Sequence, residues 1–139
     1  MAFWLLKSEP NVWSFQQQYH KKPHSEPWDG IRNYRARNNL ARMKKGEKAF
    51  FYHSNIGMEI VGVVEITREA YVDETANDPR WLCVDVCACY PLEKPIPLKA
   101  IKDNKNLQNM ELVRFSRLSV QEVLEKEWIE IHKMAATTL

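Results

Sequence analysis

Between Arg32 and Lys48 stand seven basic side chains, Arg32, Arg35, Arg37, Arg42, Lys44, Lys45 and Lys48, against the single acid Glu47. The run carries +6 in a chain whose net charge is only +2, so the remainder sums to −4. Guanidinium groups bind phosphate in bidentate fashion and keep their charge, which makes this run the chemistry of anion binding. A second group is "YHSN", Tyr52 to Asn55, four hydrogen-bonding side chains where an apolar run ends. "KSE", Lys7 to Glu9, closes another apolar run in the same way. Trp28 lies between a polar stretch and an Asp-Gly turn, outside any periodic core pattern.

Catalytic words are missing. His20, His24, His53 and His132 are present, but no Gly-rich phosphate loop, no Gly-x-Ser-x-Gly and no His-Glu-x-x-His metal word occurs. Zinc deaminase chemistry needs His-x-Glu together with Cys-x-x-Cys; His24-Ser25-Glu26 has the first spacing, but no Cys-x-x-Cys occurs. His53 and Ser54 are neighbours, and neighbours on a strand point to opposite faces, which separates a nucleophile from its base. Cys83, Cys87 and Cys89 share one face of a strand but spread over roughly 20 Å, too far for one tetrahedral ion. The expectation is a binding module rather than an enzyme, with no metal and no cofactor. An odd cysteine count in one segment is poor material for a secreted disulfide framework. The four apolar residues before Lys7 are too few for a signal peptide or a membrane span, so a cytoplasmic protein is expected.

The elements that must position these groups follow from periodicity. A length of 139 residues fits one domain with one real core. "FWLLKSEP" reads as a first strand, and 16–27, with its prolines, as a surface loop. A helix begins near Tyr34, capped by Asn33 and stopped at Gly46. "KAFFYHS", "MEIVGVVEITREAYVD" with a bend at Gly62, and "WLCVDVCACYPLEKPIPL" read as strands. "SVQEVLEKEWIEI" reads as a final helix, with Ser119 and Glu122 at capping-box spacing. Residues 134–139 are expected to be a disordered tail. Antiparallel strands without a βαβ rhythm point to an α+β domain on a curled sheet or partial barrel.

In one order along almost the whole chain stand "WLLKSEP", "WDGIRNYRARNN", "FFYHSN", "IVGVVEITREAYVD" and "RLSVQ". Together they resemble the EVE domain family, relatives of the thymocyte nuclear protein, within the PUA-like superfamily that also holds the YTH domains. The chain departs from the pattern at Asn11, where many relatives carry an acidic residue. The resemblance implies a PUA-like curled, mainly antiparallel β-barrel with flanking helices, as a single domain over 1–139. It also implies a pocket for a flipped-out, modified base, methylated or hydroxymethylated, and a nucleic-acid partner, DNA ahead of RNA.

A flipped base needs a ring to stack on and hydrogen-bonding groups at its edge. Trp28 is the leading ring, with a plug under the polar loop as its other reading. Trp4 fits the pocket wall and the core equally, while Trp13, Trp81 and Trp128 are left to packing. Lys7, Ser8 and Glu9 reach across the mouth, or else form a turn before Pro10. If Phe50 and Tyr52 alternate with Phe51 and His53, the strand delivers Ser54 and Asn55 to the same mouth, with Tyr52 or His53 bordering it. Arg32, Arg35 and Arg37 are the phosphate contacts, with Asn33, Tyr34 and Asn38 in the same segment as further contacts, caps or supports. Arg68, Arg114 and Arg117 are weaker members whose other reading is a surface charge. The second functional reading is a pocket protein or enzyme for a small base- or nucleoside-like molecule, and the third a protein-interaction domain.

Overall fold

Adjacent residues are buried in pairs along the central strands: Leu5 with Leu6, and Phe50 with Phe51, all at 0% exposure. Successive strand side chains point to opposite faces, so such a pair requires a sheet covered on both sides. The computed structural model, which describes residues 1–138, has that arrangement. Its elements are β1 (Phe3–Ser8), α1 (Phe15–His20), β2 (Glu26–Trp28), α2 (Tyr34–Arg42), β3 (Lys48–His53), β4 (Glu59–Val72), β5 (Leu82–Pro97), α3 (Leu98–Asp103), α4 (Glu111–Arg114), β6 (Val120–Val123) and α5 (Glu125–Met134). The sheet order is β2-β5-β4-β3-β1-β6. One face packs Trp4, Leu6 and Phe51 against Phe15 of α1 and Leu40 of α2. The other packs Leu5, Phe50 and Tyr52 against Ile101, Leu112, Trp128 and Ile131 from α3, α4 and α5. Each fully buried large side chain contributes about 1.5–3 kcal/mol, and this two-sided burial is the main stabilising term.

The α+β class and the mainly antiparallel pairing are as expected, with β1 and β3 the one parallel pair among the described residues. The expected barrel does not close: β2 and β6 are the two ends of the sheet order. β2 has three residues and its centre is Pro27, which has no N–H with which to build a further ladder. Register shifts in β3, β4 and β5 curl the sheet without closing it.

Three local expectations are corrected. The stretch 16–27 is not all loop, because α1 begins at Phe15 and Glu26–Trp28 pairs with β5. The signal for α1 was Ser14 with Gln17, whose side chains exchange hydrogen bonds with each other's backbone N–H groups. At the far end, Val120–Val123 is a strand paired with β1, and α5 starts only at Glu125. Glu122 therefore caps nothing; Glu127 accepts from the Leu124 N–H at 2.8 Å instead. Finally, 134–138 is not the disordered stretch that was expected. Met134 closes α5, Ala135 is buried, and the Thr137 hydroxyl accepts from the Glu93 N–H at 2.7 Å. Leu139 lies outside the described residues.

Gly62 shows how tightly β4 and α1 fit. A Cβ at this position would lie 2.3 Å from Cζ of Phe15, whose ring packs edge-on against Phe51 at 5.3 Å. Gly62→Ala is expected to destabilise the fold by about 1–3 kcal/mol through overpacking. Urea melts of this variant, of Phe15→Leu and of the double variant are expected to be non-additive, with the double less destabilised than the sum. Strict additivity would contradict the contact.

Candidate functional site

Where β1 ends, a cleft of about 470 Å³ opens between two segments of chain. One wall is Lys7, Ser8 and Glu9 with Val12 and Trp13. The other is the run from Glu26 through Trp28 to Arg32, and Ser119 completes the lining. Trp28 is only 6% exposed and meets Phe51 edge-on at 5.4 Å, which fixes its ring at the back. Trp13 Nε1 donates to Gln18 Oε1 at 2.9 Å, and Ser8 Oγ donates to the Trp13 carbonyl at 2.5 Å. Both walls are therefore tied to buried structure. The combination of apolar ring surface and polar edges suits a flat, heteroatom-rich ligand.

The Trp28–Arg32 wall leans on one buried charge. Asp73, just after β4, accepts from the Gly30 N–H at 2.9 Å, from Arg32 Nη1 at 3.0 Å and from the Thr75 N–H at 2.9 Å. Burial alone would raise its carboxyl, but the bonds from Thr75, Gly30 and Arg32 outweigh that and hold it at about 2. Asp29 goes the other way: burial and the neighbouring Asp73 and Glu26 push its carboxyl up. A carboxyl so raised is able to accept a hydrogen bond when ionised and to donate one when protonated. Lys7 is half-buried, its ammonium lowered by desolvation, and its Nζ donates to the Ser116 carbonyl at 2.8 Å.

The cleft gathers Lys7, Ser8, Glu9, Trp28 and Arg32 from the residues named by sequence. It does not gather Trp4, Tyr52, His53, Ser54 or Asn55. Trp4 is buried and donates to Glu47 Oε1 at 2.9 Å. Tyr52 points to the opposite face of the sheet, into the cluster with α5. His53 Nε2 accepts from the Phe15 N–H at 3.1 Å, and burial lowers its basicity against the pull of Glu59. Ser54 donates its backbone N–H to the Ser8 carbonyl, and Asn55 Nδ2 donates to Glu9 Oε1, so both stand behind the rim. Trp13, assigned to packing by sequence, lines the cleft, as does Asp29. The signal for Trp13 was its place two residues before α1, where a chain entering a helix turns at the surface.

The arginines divide. Arg32 is held by Asp73 and Thr75, and Arg35 pairs with Glu111 at 3.0 Å while lying over the Phe115 ring. Asn33 caps α2, accepting from the Ala36 N–H at 2.9 Å. With Arg35, Phe115, Ser116 and Arg117 it lines a shallower groove beside the cleft. Tyr34 accepts from Arg80 and lies tilted against Trp81, with the Arg37 guanidinium 5.8 Å from its ring centre. Asn38 and Arg114 are exposed on the surface, Arg114 against Phe115, and Arg68 lies over Tyr71. Lys44, Lys45 and Lys48 sit at the start of β3, while the cleft opens beyond its other end, about 16 Å away at 3.3 Å per residue. The basic run is therefore not one surface.

The EVE domain family model matches residues 2–134. The chain belongs to the EVE domain family. A solved protein of Agrobacterium tumefaciens superposes with a TM-score of 0.97 at 46% identity, covering 99% of this chain and 94% of that one. Human THYN1, solved in complex with 5-methylcytosine containing DNA, superposes with a TM-score of 0.91 at 32% identity over 100% of both chains. Among curated relatives, thymocyte nuclear protein 1 of Gallus gallus is 37% identical over 90% of this chain; the chain spans 65% of that relative's length. The human counterpart is 34% identical, matched over 91% of this chain and 71% of its own length. A YTH domain of Zygosaccharomyces rouxii shares the fold, with a TM-score of 0.60 at 15% identity.

Asp73 makes a pH signature. Its folded pKa lies below its unfolded value, so its contribution is complete above the unfolded value of 3.8 and is lost as pH falls towards about 2. The difference corresponds to about 2 kcal/mol at neutral pH. Urea melts from pH 6 downwards are expected to show this loss in the parent. Asp73→Asn is expected to be less stable at pH 6 and to lack this part of the acid slope; an unchanged slope would remove Asp73 as its source.

Proposed function

We propose that this EVE domain binds nucleic acid by taking one modified base, in the first instance 5-methylcytosine in DNA, into the cleft backed by Trp28. The observation that carries the reading is the cleft itself: a recessed indole, a second indole at the lip, and carboxylates on both walls. A ring stacked on an aromatic gains about 1–3 kcal/mol, which offsets the few kcal/mol needed to extrude a base. Carboxylates accept from the exocyclic amine of cytosine, and Glu9, Glu26 and Asp29 are the lining groups able to do so. Ser8 spends its one hydroxyl hydrogen on the Trp13 carbonyl, so towards a ligand it can accept but not donate. The THYN1 complex with 5-methylcytosine DNA, at an all-chain TM-score of 0.91, supports carrying the ligand class across.

The phosphates flanking such a base would run along the groove of Asn33, Arg35, Ser116 and Arg117, which continues from the cleft through the segments 31–35 and 116–119. No step in this reading makes or breaks a covalent bond, so the activity proposed is recognition. Among the described residues no helix is long and apolar enough to cross a membrane. A compartment that holds nucleic acid, cytoplasmic or nuclear, is part of the proposal.

The test is binding to matched DNA and RNA oligonucleotides with and without 5-methylcytosine, 5-hydroxymethylcytosine or N6-methyladenine. One modified form is expected to bind about tenfold or more tightly than its unmodified twin, a difference of 1.4 kcal/mol that stacking and edge contacts are large enough to supply. Trp28→Ala is expected to abolish that preference. Equal binding of all forms would overturn the reading, and competition by free nucleoside alone would assign the cleft to a small molecule.

A further inference from the structure

We propose that Ile56, with Val12 beside it, is the wedge that enters the base stack when the neighbouring nucleotide is turned out into the cleft. The proposal rests on the modified-base reading of that cleft. Turning a base out of a duplex leaves a gap, and the bases on either side lose a stacking partner. Proteins that open base steps do so with rigidly held apolar side chains, isoleucine and methionine among them.

The loop 54–58 between β3 and β4 has the form this task requires. Ile56 is 56% exposed at its apex, and Val12 is 72% exposed on the adjoining turn, where it lines the cleft. Val72 and Leu124 are also exposed apolar residues, but neither lines the cleft. Ile56 and Val12 converge on one residue, Glu9. The Glu9 carbonyl accepts from the N–H groups of Val12 and Trp13, both at 2.9 Å. Its carboxylate accepts from Asn55 Nδ2 at 2.5 Å, and Glu9 itself lines the cleft. The loop is pinned further by Ser54 N–H to the Ser8 carbonyl and by Leu98 N–H to the Met58 carbonyl, each at 2.9 Å.

Between those pins the chain turns sharply. Ile56 N–H reaches back to the Ser54 carbonyl at 2.7 Å, and Asn55, Gly57 and Met58 all have left-handed φ values of 65°, 87° and 49°. Left-handed backbone at Met58 is unfavourable for a residue with a Cβ, and here the surrounding hydrogen bonds impose it. The result is a fixed apex whose apolar side chain is more than half exposed. A gap between base pairs is the apolar surface that lies next to an occupied cleft, because the base removed and the gap it leaves belong to the same strand.

A wedge matters only where a stack must be opened. The experiment measures binding of the parent, Ile56→Ser, Ile56→Met, Val12→Ser with Ile56→Ser, and Trp28→Ala to one 5-methylcytosine oligonucleotide, as duplex and as single strand. Ile56→Ser is expected to weaken duplex binding about tenfold and leave single-strand binding within about twofold, the selectivity of a side chain that offsets unstacking. The double variant is expected to lose more, and Ile56→Met to retain parental duplex affinity. A 2-aminopurine placed beside the modified base is expected to brighten with the parent and not with Ile56→Ser. Thermal melts of the Ile56 and Val12 variants are expected to match the parent, since both side chains are exposed. Equal losses on duplex and single strand, no loss on either, or a parent that does not bind duplex would each overturn the wedge. Trp28→Ala separates this from the underlying reading: if it cripples binding while Ile56→Ser does not, only the wedge fails. If Trp28→Ala leaves both substrates bound as before, the base-slot reading fails and takes the wedge with it.

Discussion

A buried carboxylate at the end of the longest hairpin holds the cleft in shape. β2 is three residues long with proline at its centre, too little hydrogen bonding to fix the segment that follows it. Asp73 supplies the missing constraint from 43 residues away, taking the Gly30 N–H and the Arg32 guanidinium on one carboxylate oxygen. Gly30 has φ near 81°, a left-handed position that a residue with a Cβ resists, so the turn after Trp28 exists in the form that Asp73 requires. The length of β4 then has a physical reason: its 14 residues carry Asp73 out to the loop. A buried charge is tolerable only when its lone pairs are filled, and here two of the partners, Gly30 and Arg32, are also parts of the wall.

Long-range satisfaction of this kind is what separates the legible from the illegible parts of the sequence. Strands written as short apolar runs, such as "KAFFYH", were readable because a run is a property of neighbours. So were the α+β class and the helix start at Asn33, whose side-chain cap lies three residues ahead. The family was readable from five words in register across the chain. "SVQEVLEKEW" was misread because its apolar spacing fits a helix, yet Val120 to Val123 gains more by completing an edge beside β1. The parallel pairing of β1 and β3, and the failure of the sheet to close, depend on partners distant in sequence.

The site divides along the same line. Lys7, Ser8 and Glu9 were legible as a strand end, and the parallel partner of that end is His53. What could not be read is which face of β3 meets the cleft. Phe51 and His53 lie on the face with α1, and His53 is spent there on the Phe15 N–H, while Tyr52 points away. Ser54 and Asn55 reach the rim only from behind, as supports for Ser8 and Glu9. Polar type and position were correctly noted in "YHSN"; the direction of each side chain was decided by a neighbour 38 to 46 residues earlier.

Charge follows a similar logic, with a consequence for binding energy. Read along the sequence, the run from Arg32 to Lys48 is one block of positive charge, although helical spacing already turns Arg37 away from Arg35. In the fold, Arg32, Arg35 and Arg42 each face a carboxylate, Asp73, Glu111 and Glu122, and the lysines stand at the opposite end of β3 from the cleft. An arginine already paired gives up that partner, or shares it, before it holds a phosphate, so its net contribution to nucleic-acid affinity is smaller than its charge implies. Counterion release scales with the phosphates actually neutralised, which makes a domain of this design less salt-dependent than its composition would predict. On the proposed reading, discrimination would come from the cleft, where an indole and the carboxylates would meet one base rather than a backbone common to all sequences.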